Sequence, residues 1–239
     1  MTAHVDLVIV RHGESVANAA GTIAGWRDVP LTARGAEQAV AAGRMLRRLG
    51  IPFSAVFTSM LERATATADR VLGELGNAPE RSAHWRLNER HYGALQGGTR
   101  ADADVTYGRD VSRGFRRDWN SAPPPAEAGS ADDPRSDPRY ARVGDELPRT
   151  ESLADMTARV APMWHELRPL LAAGRAVLLV AHNLSLRALL RPLEGIAGEG
   201  LPEGNLGNAL PRRYRLDAAL RPVAVDEATA DGVFTRLRG

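Results

Sequence analysis

Asp6-Leu-Val-Ile-Val10, followed without a break by Arg11-His-Gly-Glu-Ser15, is the stretch on which the fold turns. Leu7 to Val10 is a short apolar, largely β-branched run of the kind that fills a strand buried on both faces of a parallel sheet. Directly after it come a cation, an imidazole and a glycine. Ligands of open α/β sheets gather beyond the carboxyl ends of strands, so His12 is placed to face a site rather than the core. The same relation recurs late in the chain, where Ala176-Val-Leu-Leu-Val-Ala181 runs straight into His182. Two strands that each deliver a histidine at the tip are hard to explain by packing alone.

Working outward, the chain alternates strand and helix patterns. Leu31 to Gly50 reads as a helix with Thr32 as N-cap, Gly50 as its end, and Ala39, Ala42, Gly43 and Leu46 on the buried face. Phe53 to Phe57 reads as a strand ending in Thr58-Ser59, and Glu62 to Gly76 as a second helix. Trp85 to Gln96 is irregular and polar, and Arg100 to Trp119 is helical in part. Residues 121–150, crowded with Pro, Asp and Gly, read as a long lid-like loop too polar to build a core. A single helix is expected from Thr150 to about Ala173, carrying Leu153, Met156, Val160, Met163, Leu167 and Leu170 at helical spacing. Leu186 to Leu193 gives another helix, and Tyr214–Leu216 and Val223–Val225 two short edge strands. The expectation is a three-layer α/β/α sandwich with a mostly parallel central sheet, as one domain over residues 1–239.

Composition narrows the function. The chain has 239 residues, long enough for a full core, with an ordinary soluble-enzyme balance of 44% hydrophobic and 25% charged residues. Its apolar runs fall well short of the roughly 20 residues that a membrane helix needs, so no membrane partner is expected. The first residues show neither a basic region nor an apolar core, and a cytoplasmic location is expected. The absence of cysteine excludes disulfides, thiolate nucleophiles and cysteine-based metal sites, and no His and carboxylate cluster has convincing ligand spacing. All basic side chains are Arg, scattered among acids rather than gathered in a stripe, which argues against nucleic acid as partner.

Taken together, RHGESVAN (11–18), GWRDVPLTARG (25–35), TSMLERA (58–64), LNERHYGALQG (87–97), FRRDW (115–119), LPRTESL (147–153) and AHNLSLRALL (181–190) carry a resemblance. The chain resembles the histidine phosphatase superfamily and, within it, the cofactor-dependent phosphoglycerate mutases, from Val5 to about Asp217. The resemblance implies phosphoryl transfer through a phosphohistidine on His12. A neutral imidazole suits that role because it is a good nucleophile near neutral pH. Arg11 and Arg63 would neutralise the non-bridging oxygens, His182 would stabilise the transferring group, and Glu89 would cycle one proton. Gly13 is read as leaving room for a phosphoryl group against the backbone. Ser15, Asn18, Ala24, Gly25, Arg90, Tyr92, Arg100, Arg116, Arg117, Asn183 and Leu184 match positions around the rest of the substrate. No metal and no tightly bound cofactor are implied, 2,3-bisphosphoglycerate serving as phosphoryl primer, and a homodimer or homotetramer fits the family.

Departures fall on the substrate side. HGNS becomes His182-Asn183-Leu184-Ser185, FTGW becomes Ile23-Ala24-Gly25-Trp26, and Arg100 replaces a lysine. Three readings stay open. The first is a mutase interconverting 3-phosphoglycerate and 2-phosphoglycerate. The second is a phosphatase or mutase for another small phosphorylated metabolite, such as a sugar or cyclitol phosphate. The third is a non-catalytic binder of a phosphorylated ligand.

Overall fold

The computed structural model describes residues 4–76 and 79–238. In chain order the strands are β1 (Val5–Arg11), β2 (Phe53–Thr58), β3 (Glu80–Ala83), β4 (Ala176–Ala181), β5 (Arg212–Leu216), β6 (Pro222–Ala228) and β7 (Phe234–Arg238). The helices are α1 (Val16–Ala20), α2 (Ala33–Leu49), α3 (Glu62–Leu75), α4 (Arg100–Tyr107), α5 (Arg109–Arg117), α6 (Leu153–Val160), α7 (Met163–Ala172) and α8 (Asn183–Leu190). One seven-stranded sheet runs in the order β3-β2-β4-β1-β5-β6-β7. The first four are parallel neighbours, and β5, β6 and β7 add an antiparallel flank.

Side chains alternate across a strand, and this splits the core into two layers. Leu7 and Ile9 of β1 pack with Val177, Leu179 and the buried faces of α6, α7 and α8. Val8 and Val10 point to the opposite face, with Leu178, Val180, Ala42, Leu46, Ala68 and Val71 of β4, α2 and α3. Helices cover both faces, and every residue of β4 is buried. The α/β sandwich expected from the two apolar runs is therefore present.

Several element boundaries differ from the sequence reading. The expected helix over 150–173 starts at Ser152, whose Oγ accepts from Asp155 N, and is broken into α6 and α7 at Ala161-Pro162. Pro162 has no N–H to donate into the preceding turn, so the ladder stops there. Helix α8 begins at Asn183, three residues earlier than expected, because the chain enters it directly from His182. The edge strand β3 is exposed at all four residues and has no apolar pattern to reveal it. The C-terminal flank holds three strands rather than two.

The loop over 121–150 is not devoid of apolar anchors. Tyr140 and Leu147 join Trp26 in a third small cluster, with Met60, Trp85 and Val143 against it. Ion pairs pin the loop as well: Arg27 grips both Asp132 oxygens at 2.7 Å, and Arg139 pairs with Asp28. No helix among the described residues is long and apolar enough to cross a membrane.

Candidate active site

Register brings the two histidines together. Arg11 stands opposite Ala181 in the parallel pairing of β1 and β4, and His12 N donates to Ala181 O at 2.9 Å. The next residue of each strand is a histidine, so His12 and His182 lie side by side, with ring centroids 5.0 Å apart. Both are buried. A single residue of slip would have sent one of them into the core.

His12 is held in one useful tautomer. Its Nδ1 lies 2.7 Å from the carbonyl of Gly13, which can only accept, so Nδ1 carries the hydrogen and the Nε2 lone pair is free. Burial, with Arg63 and Arg11 adding to it, holds the His12 pKa well below the ordinary imidazole value, so the ring is neutral at neutral pH. His182 is likewise held well below that value, by burial first and then by Arg63, His12 and Arg11. Its Nε2 is 2.8 Å from Ser59 Oγ, which accepts in turn from Leu61 N. This pattern fits a Ser59 hydroxyl donating to Nε2 and a hydrogen on His182 Nδ1, a buried atom with no protein partner.

Two cations border the pair. Arg63, in the first turn of α3, is 2% exposed and donates to Arg27 O at 3.0 Å and Gly25 O at 2.7 Å. Burial brings its pKa down to about 10, which leaves it charged at neutral pH. Arg11 donates from Nη1 to Leu206 O at 2.9 Å, and its Nε is buried without a protein partner. The Glu89 carboxylate acts electrostatically on both Arg11 and Arg63, so it faces the same cluster. Its Oε1 accepts from Arg90 N at 2.9 Å, and its Oε2 lies 3.4 Å from Leu184 N. Neutral imidazoles, guanidinium groups and one carboxyl group gathered at the ends of β1 and β4 make a receptor for a phosphoryl dianion with a proton carrier beside it.

The remaining expected site residues divide. Tyr92, Arg100 and Arg116 interact electrostatically, and desolvation pushes the Tyr92 phenol up to about 12. Arg90 lies over the Tyr92 ring at 5.2 Å and leaves Nη1 buried and unpartnered, while Arg117 is exposed at the end of α5. Arg116 is not a free cation, being paired with Asp104 at 3.4 Å and bonded to Ser112 Oγ. Ser15 and Asn18 form a reciprocal cap on α1, each side chain bonding the other's backbone N–H. Gly25 contributes its carbonyl to Arg63, and Ala24 is half-buried in the same turn.

Asn183 and Leu184 each make contacts within the protein beside the site. The Asn183 amide donates to Asn205 Oδ1 at 3.0 Å and its oxygen accepts from Leu206 N at 2.9 Å, so the side chain tethers residues 205–206. The Leu184 side chain packs against the core, and its backbone N–H faces Glu89. The reading of Gly13 is corrected. A Cβ there would sit 2.2 Å from Gly35 O, so the space is filled by the start of α2 and not kept for a phosphoryl group.

Some of the supporting groups were not legible in advance. Ser59 had the same signal as the histidines, a polar residue at the tip of an apolar strand. Thr67 Oγ1 accepts from Gly13 N at 3.0 Å, and Asn208 donates to His12 O at 2.8 Å, with no motif to mark either. Arg187 of α8 also acts electrostatically on Glu89 and Tyr92. Among the described residues no group of three or more His, Asp or Glu side chains could hold a metal ion.

The two buried imidazoles carry a stability prediction. In the unfolded chain they protonate near the ordinary value of 6.5, and in the folded protein only at much lower pH. As pH falls below about 6.5 the unfolded state therefore takes up protons first. Stability is full above that pH and is expected to fall by up to about 1.4 kcal/mol per pH unit for each histidine. Urea unfolding midpoints at pH 7.5 and 5.5 should show this loss, and His182→Gln should make it smaller. Equal pH dependence in parent and variant would contradict the neutral burial of His182.

The chain has relatives among known proteins. The chain matches the histidine phosphatase superfamily (branch 1) over residues 7–138 and 132–218, and it belongs to that family. It is similar to a structure of mycobacterial glucosyl-3-phosphoglycerate phosphatase complexed with VO3, at 28% identity and a TM-score of 0.63, covering 88% of this chain and 92% of that one. It is also similar to mycobacterial hydrolase 1, at 27% identity and a TM-score of 0.67, covering 88% and 89%. The α-ribazole phosphatase from Shigella flexneri shares the fold at 23% identity and a TM-score of 0.67, covering 91% and 95%. Phosphoryl transfer is the chemistry of this family, and the chain is an enzyme of that class.

Proposed function

We propose that the protein is a phosphatase that hydrolyses a small phosphorylated metabolite through a phosphohistidine on His12. The observation that carries this is the Nδ1 to Gly13 O hydrogen bond, which leaves His12 Nε2 as a neutral nucleophile beside two arginines and a second imidazole. In the first step Nε2 attacks phosphorus and the ester P–O bond breaks. Protonated Glu89 gives its proton to the leaving alkoxide. In the second step water attacks the phosphohistidine, Glu89 takes the water proton, and the P–N bond breaks to release inorganic phosphate. Arg11, Arg63 and His182 Nδ1 hold the non-bridging oxygens throughout.

Hydrolysis is favoured over a mutase cycle by two features. The similar enzymes whose names state an activity are phosphatases. In addition, Leu184 offers no polar side chain to a phosphoglycerate carboxylate, and Asn183 and Arg116 are engaged by Asn205, Leu206 and Asp104. Arg90, Tyr92 and Arg100 support a substrate with a second acceptor-rich group, either a carboxylate or a set of hydroxyls. The substrate named for the 28% identical relative has both.

A panel of phosphoglycerates, sugar phosphates and glucosyl-3-phosphoglycerate tests this, with phosphate release and 2-phosphoglycerate formation measured together. Phosphate release is expected to exceed isomerisation at least tenfold for every substrate. Leu184→Asn with Ala24→Thr should lower turnover of the best substrate, by roughly 1–3 kcal/mol per polar group left unmatched. Isomerisation of 3-phosphoglycerate outpacing phosphate release would replace this reading with the mutase.

A further inference from the structure

We propose that the buried Arg159–Glu151 pair is a positioning device that sets the Glu89 carboxyl group against the leaving-group side of the histidine cluster. The proposal rests on the reading of Glu89 as the proton carrier. Glu89 lies in an irregular segment between two short 3-10 turns, with no helix or strand ladder to fix its backbone. A proton donor misplaced by about 1 Å loses much of its effect, so something else must hold this segment.

Arg159 on α6 does so. Its Nη1 donates to Arg86 O at 2.8 Å and Asn88 O at 3.2 Å, and its Nη2 donates to Glu89 O at 3.1 Å. Glu151 receives Nε at 2.5 Å and Nη2 at 2.9 Å, and fixes the guanidinium plane. Glu151 then reaches the far side of Glu89, with Oε2 accepting from His91 N at 2.7 Å and its backbone oxygen from Arg90 Nε at 2.7 Å. Trp26 closes the cage, donating from Nε1 to Glu89 O at 2.5 Å beneath the Arg159 guanidinium. Both flanks of Glu89 thus hang on one pair.

Stability alone does not account for this arrangement, because a buried ion pair is often no more stabilising than apolar side chains of the same volume. A planar fork of five donors is what can address the carbonyls of Arg86, Asn88 and Glu89 and a carboxylate together. Lysine keeps the charge opposite Glu151 and cannot make that set of bonds.

The test separates proton donation from general damage by varying the leaving group. An alkyl phosphate needs its strongly basic alkoxide protonated, whereas p-nitrophenolate leaves from p-nitrophenyl phosphate unaided. Arg159→Lys is expected to lower kcat/KM on the alkyl phosphate, which reports ester cleavage and not the shared hydrolysis of phosphohistidine, about 30- to 100-fold. On p-nitrophenyl phosphate the loss in kcat/KM should stay below about threefold, with inhibition by inorganic phosphate within about twofold of the parent. Glu89→Gln should show the same split, and adding it to Arg159→Lys should give little further loss. If Arg159→Lys does not fold, the paired Glu151→Leu, Arg159→Met variant removes both charges at once and should show the same split. Equal losses on both substrates, or full additivity with Glu89→Gln, would overturn the positioning role. If Glu89→Gln itself shows no split, the assignment of Glu89 fails instead, and the two failures are distinguishable.

Discussion

His12→Ala is expected to lower kcat for phosphomonoester hydrolysis about ten-thousand-fold or more, with inorganic phosphate still bound within about tenfold of the parent affinity. The asymmetry follows from what each group does. Arg11, Arg63 and His182 supply the electrostatic grip on a phosphoryl dianion, and all three remain in the variant. The attacking lone pair does not remain, since the one nitrogen fixed as a free acceptor is His12 Nε2. His182 is a poor substitute, because its Nε2 is engaged with Ser59 Oγ. A loss smaller than about tenfold in kcat would mean that another group attacks, or that water attacks directly.

Gly35→Ala is expected to remove most activity although Gly35 touches no substrate group. The start of α2 packs its backbone against the chain just after His12, and each side lacks a side chain. A Cβ on Gly35 would lie 1.9 Å from Glu14 O, and one on Gly13 would lie 2.2 Å from Gly35 O. Neither neighbour is the movable end of a flexible side chain, so the backbone itself must shift. Overpacking of this kind destabilises by about 3 kcal/mol, read as a lower urea midpoint. The shift also carries Gly13 O, which fixes the His12 tautomer, and about 1 Å of displacement there is expected to lower kcat about a hundredfold. A variant with parent-like stability and turnover would show that the two backbones are not in contact.

The sequence disclosed the centre of the fold and the ends of its two central strands, because burial on both faces writes an uninterrupted apolar run. It disclosed less where tertiary context overrides the local pattern. The helical spacing from Leu153 to Leu170 continues across Pro162, although the helix does not. Strand β3 owes its existence to pairing with β2 and carries no apolar signature of its own. For the site, the RHG, ERH and AHN strings point to His12, Glu89 and His182, which the fold gathers into one cluster, whereas residues that act through hydrogen bonds are harder to see. Arg159 stands 70 residues after Glu89 in the chain, and only the folded arrangement brings its guanidinium to the Glu89 carbonyl. Asn183 and Arg116 have chemistry that suits a substrate, and the fold also bonds each to a neighbouring protein group, which the sequence does not show.

The central claim is that the phosphoryl group rests on His12 between ester cleavage and release. Rapid acid-free quenching of the enzyme during turnover of a phosphorus-labelled substrate, followed by peptide mapping, tests it directly. The account predicts acid-labile label on the peptide carrying Arg11-His-Gly13, at Nε2 of His12, and none on the peptide carrying His182. Label on His182, or burst-free turnover with no labelled peptide at all, would contradict it.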